Sequence, residues 1–70
     1  MQHPPIVVHQ LSATGGRRVT ARGRILGLAH SDHDLVVFLE AAGLQDPDEV
    51  LDDPAWVEWR GGRAHEWDAA

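Results

Sequence analysis

The sequence predicts a small α+β domain, an antiparallel sheet in the order β-β-β-α-(short α)-β with one main helix packed across it. Three observations carry that expectation. Residues 1–30 hold apolar and β-branched runs separated by glycines, "SDHDLVVFLEAAGL" has the spacing and caps of an amphipathic helix, and "AWVEWR" alternates after Pro54. Seventy residues suit a single domain, 1–70, with flexible ends expected at 1–4 and 68–70.

Pro4 and Pro5 keep the start extended, and "IVVHQL" from Ile6 suits a strand. "SATGG" supplies turn chemistry before a second strand, "RRVTA". Gly23, flanked by polar residues between two apolar runs, is read as a hairpin turn, the alternative being one long strand. "ILGLAH" is then a third strand, with Leu26 and Leu28 on one face and Ile25, Gly27 and Ala29 on the other.

The helix is expected over about residues 32–42. Ser31 is its N-cap, and Asp34 stands where a carboxylate reaches back to the cap and meets the positive helix end. Leu35, Phe38, Leu39 and Ala42 form the stripe that should face the sheet. Gly43 fits the left-handed residue of a Schellman closure, with Leu44 folding back on Leu39. "QDPDEVLDDP" reads as a short helix with Asp46 as N-cap and Pro47 in its first turn, stopped by Pro54. "AWVEWR" is the last strand, and residues 61–67 are either its hairpin partner or loop.

Charge divides the chain. Residues 1–30 carry Arg17, Arg18, Arg22 and Arg24 and no acid, a net +4, whereas residues 31–70 set eleven acids against Arg60 and Arg63, a net −9. A basic hairpin of this kind can grip phosphates. The acidic remainder of so small a body opposes that, since few points lie beyond a few Debye lengths of about 8–10 Å from the hairpin. Pairing of the arginines with carboxylates, in this chain or in a neighbouring copy, is the preferred reading, and nucleic-acid binding is the alternative.

The chain has no cysteine, which removes disulfides, thiolate metal sites and cysteine nucleophiles. Self-association is the remaining staple for so small a core. The amino terminus lacks the pattern of a signal peptide and no run approaches a membrane span, so a cytoplasmic protein with no membrane partner is expected.

The motifs "GGRRVTARG", "GLAHSDHDLVVFLEAAGL", "LDDP" and "VEWRGG" followed by a tryptophan, in that order, cover nearly all of residues 15–67. Together they resemble short hypothetical proteins of streptomycetes and other actinobacteria. The resemblance implies no activity and no site.

Candidate chemistry is sparse. His30 and His33, with Asp32 and Asp34 beside them and His65 or Glu66 as further donors, have ligand types suited to zinc. They stand on both sides of a strand-to-helix junction, so convergence is not assured, and solvated residues at a helix start are the preferred reading. The acidic run after Gln45 lacks the alternation and central glycine of a calcium loop. No nucleophile elbow, P-loop or dinucleotide fingerprint is present, and the reading assigns no catalytic residue, cofactor or metal. Trp56, Trp59 and Trp67 lie close together in sequence, and alternation sends Trp56 and Trp59 to opposite faces. The expectation is a non-enzymatic protein-binding or regulatory module that self-associates, with Val36, Val37, Trp56 and Trp67 as its apolar contact residues.

Overall fold

The computed structural model describes residues 4–67. Of the ends expected to be flexible, residues 1–3 and 68–70 lie outside it. The chain forms β1 (Ile6–Leu11), β2 (Arg17–Ala21), β3 (Arg24–Ala29), α1 (Asp32–Ala41), a single 3-10 turn at Pro47–Glu49, and β4 (Val57–Trp59). One helix lies across one face of a four-stranded sheet of order β3-β2-β1-β4. The α+β class with one main helix therefore holds.

The sheet is mixed, which corrects the expectation of an antiparallel one. β1 and β3 each run antiparallel to β2, while β4 pairs parallel with β1, Ile6 opposite Val57 and Val8 opposite Trp59. The cause is the connection after β3. A helix carried over the sheet returns the chain to the side where β3 began, so the next strand runs with β3 and β1.

Two glycine-rich turns join the first three strands as expected. Residues 12–16 close the first hairpin through Gly15 N–H to Ser12 and Ser12 N–H to Gly16. Arg22 and Gly23, both with positive φ, form the second, a two-residue loop of the type that matches strand twist. A bulge at Leu26 interrupts the ladder with β2, since Thr20 faces Ile25 while Val19 faces Gly27. Strict alternation therefore fails in β3. Ile25 and Leu28 share the face away from the helix, whereas Gly27 and buried Ala29 lie opposite Val19 and Arg17 on the helix side and Leu26 packs on the core.

The helix is bounded as its sequence predicts. Ser31 Oγ accepts from Asp34 N–H at 3.2 Å, while the Asp34 carboxylate accepts from His30 N–H at 3.0 Å, one residue before the cap. At the other end Leu44 N–H donates to Leu39 and Gly43 N–H to Glu40, the Schellman pair, with Gly43 at φ +95°. Leu35 and Leu39 are buried and Phe38 is half-buried, but Ala42 is exposed, so the stripe is one residue shorter than expected. Phe38 rests on Gly27, where an added Cβ would come within 2.7 Å of the ring.

Beyond the helix, the second helical segment shrinks to the 3-10 turn. Asp46 takes φ +50° and its side chain caps nothing. The core joins Ile6, Val8, Val19, Ala29, Leu35, Leu39, Leu51, Val57 and Trp67. Residues 61–67 form no strand; they fold back along the sheet end. No helix among the described residues is long and apolar enough to cross a membrane.

Candidate interaction surface

The sheet face opposite α1 is uncovered. Across it, register aligns Ile25, Thr20, Val7 and Glu58 in one row and sets Leu28 beside Arg18 in the next. Ile25 is 63% exposed and Leu28 45%, two large apolar side chains adjacent on an edge strand. Trp56, 42% exposed, lies in the turn just before β4. Val37, also exposed, lies on the helix.

His9 belongs to this face and bonds Thr20 Oγ1 through Nε2 at 3.0 Å. Burial, then the charges of Arg18 and Arg60, push its pKa below the ordinary value, with Glu58 opposing them. Arg18 and Arg60 flank a shallow trough with His9 and Gln10. Arg60 is paired to Glu58. Arg18, Arg22 and Arg24 are exposed and form no ion pair among the described residues. Pairing among the described residues therefore does not account for them. Apart from Glu58 on this face and Glu66 near the end, the acids among the described residues are Asp32, Asp34 and Glu40 on or at the helix, and Asp46, Asp48, Glu49, Asp52 and Asp53 in the segment after it.

Arg17 does not belong to the basic surface, contrary to its place in the expected hairpin. It is fully buried, and its guanidinium is consumed by backbone carbonyls. Nε donates to His9 at 2.8 Å, Nη1 to Arg63 at 2.8 Å and Glu66 at 3.0 Å, and Nη2 to Arg60 at 2.6 Å. Its guanidinium lies 5.3 Å from the Trp59 ring centroid. Desolvation pulls its pKa down while Glu66 acts against that. The alternation of β2 explains the placement, for Arg17 has the same parity as buried Val19. The fold of residues 60–67 supplies three of the four acceptors, and β1 supplies the fourth at His9.

Trp67 likewise leaves the set of contact residues. It is 8% exposed and sits in the core, edge-on to Trp59 at 5.4 Å between centroids, with its indole N–H donating to Asp32 Oδ1 at 2.8 Å. Val36 is half-buried against the core, so of the expected apolar quartet Val37 and Trp56 remain exposed. Trp59 donates to the Leu51 carbonyl at 2.9 Å.

Asp32 also receives His65. The two imidazole nitrogens meet Asp32 Oδ2 at 2.7 Å and Asp52 Oδ1 at 2.5 Å, and the ring packs 5.1 Å from Trp59. A neutral imidazole has one N–H, so two carboxylate partners favour the imidazolium. The Asp52 hydrogen bond raises its pKa most, burial opposes it, and Asp32 adds to the rise. The histidine that meets the helix start is thus His65, while His30 and His33 stay exposed. Among the described residues no group of three or more His, Asp or Glu side chains is arranged to hold a metal ion.

Comparison with family models, with curated proteins and with solved structures gives no significant match for this chain.

Proposed function

We propose that this protein is a small non-enzymatic module that binds protein, with a second copy of itself as partner. The observation that carries the reading is the adjacent exposure of Ile25 and Leu28 on the uncovered sheet face of an edge strand. A lone exposed leucine needs no explanation, but neighbouring large apolar side chains on an open sheet mark a contact surface. Charge supports the choice of partner. Arg18, Arg22 and Arg24 have no carboxylate of their own among the described residues, and most acids lie on α1 and in the segment after it, the Glu58 of this face being paired to Arg60. One copy therefore offers what the other lacks.

Sedimentation velocity up to hundreds of micromolar, at low and high salt, tests the reading. A dimer or small oligomer that weakens with salt is expected. A monomer throughout would overturn it.

A second reading has one observation in its favour: Arg18 and Arg60 flank the trough beside His9, with Arg22 and Arg24 exposed further along the hairpin. Such a cationic strip suits a phosphate backbone. Titration with DNA and RNA separates the two, since binding that falls steeply with salt, from a monomeric protein, would assign the arginines to nucleic acid.

A further inference from the structure

The sheet has two edges, and they differ. β4 is three residues long and continues into residues 60–67, which fold back over Arg17. β3 is six residues long and is the outermost strand at the other edge. It holds no proline or lysine and a single charged residue, Arg24, so the bulge at Leu26 and that one charge are the devices it has against pairing.

The bulge at Leu26 gives that edge a self-complementary pattern. Ile25 and Leu28 are three residues apart yet on one face. When two copies of β3 run antiparallel with Ile25 opposite Leu28, Leu28 of the first copy also meets Ile25 of the second. Leu26 then stands opposite Gly27, a large side chain against none, and Arg24 stands opposite Ala29. Apolar residues directly opposite on one face are the unit of sheet stabilisation.

Charge selects the same register. At the end of β3 the Asp34 carboxylate is held on His30 N–H at 3.0 Å. In the paired arrangement this end adjoins Arg24, and the turn residue Arg22, of the other copy. A shift that brought Ile25 against Ile25 would instead set Arg24 opposite Leu26, drawing it away from the other copy's Asp34 and making the two Arg24 side chains diagonal neighbours.

We propose that two copies join through antiparallel β3 strands about a two-fold axis between Leu26 and Gly27, fusing their four-stranded sheets and carrying Arg24 of each to Asp34 of the other. This proposal rests on the reading of self-association above and names its contact. The interface is isologous and closes, so it ends at the dimer, with the short β4 edges outermost.

Because the chain has no cysteine, the register can be read by cross-linking. Ile25→Cys and Leu28→Cys variants are prepared separately, checked for folding by circular dichroism, mixed and oxidised. The mixture should give a covalent heterodimer. Neither variant alone should, because like residues in this register are offset by roughly 10 Å along the strands, beyond the roughly 7 Å Cα limit of a disulfide. Arg24→Glu should weaken dimerisation about tenfold at low salt, as two exposed ion pairs become repulsions. A dimer in sedimentation whose mixed variants do not cross-link, or whose single variants cross-link equally well, overturns the register but leaves self-association standing. A monomer in sedimentation overturns the reading beneath both.

Discussion

Nη1 of Arg17 lies 2.8 Å from the carbonyl oxygen of Arg63, 46 residues further along the chain. With His9, Arg60 and Glu66 it completes a set of four carbonyls around one guanidinium. A planar fork of five N–H donors matches that set, and an ammonium with three does not. Arg17→Met should lose about 2–4 kcal/mol, the cost of leaving carbonyls unpaired, and Arg17→Lys should recover little of it. In thermal unfolding that is a fall of more than about 10 °C for a domain of this size. A shift of a degree or two would mean that residues 60–67 are held by other contacts.

His65 makes stability depend on pH in a definite direction. Its folded pKa is raised above 6.5 by Asp52 and Asp32, so its contribution is complete below 6.5 and lost as pH climbs through the folded value. His9 acts oppositely, since its pKa is lowered and acidification below 6.5 must charge it in a half-buried setting beside Arg18 and Arg60. NMR titration should place the His65 midpoint above 6.5 and that of His9 below. The stability advantage of the native protein over His65→Gln should shrink as pH rises above 6.5; an advantage constant up to pH 9 would disprove the imidazolium bridge.

Trp67 and Trp56 should separate cleanly. Trp67→Ala removes a buried ring and its bond to Asp32, a loss of about 3–5 kcal/mol. Trp56→Ala, at an exposed position, should stay within about 0.5 kcal/mol. Urea unfolding of the two variants compares them directly, and equal losses would contradict this assignment of inside and outside.

Gly43 tests the helix stop. An added Cβ meets nothing within 4 Å, so the cost of Gly43→Ala is conformational alone. At φ +95° it should be about 1 kcal/mol, read as a fall of about 4–8 °C in Tm. An unchanged Tm would show that the closure does not hold this end.

Local signals determined much of this protein. The strands at 6–11 and 17–21, the Arg22–Gly23 turn, the Ser31 cap and the Gly43 closure arise from β-branched runs, glycine and capping chemistry within a few residues. Each is an interaction short in sequence, and so is legible there. The parallel pairing of β4, the bonds from Arg17 to Arg63 and the His65–Asp32 contact join residues 33 to 51 positions apart. Only tertiary structure decided them. The bulge at Leu26 belongs with them, because one extra residue in the ladder with β2 inverts which side chains of β3 face solvent. For that reason the exposed apolar pair lies at Ile25 and Leu28, and Trp67, which in sequence resembles Trp56, lies in the core: facing is set by the partner strand and by what packs against it, neither of which is local.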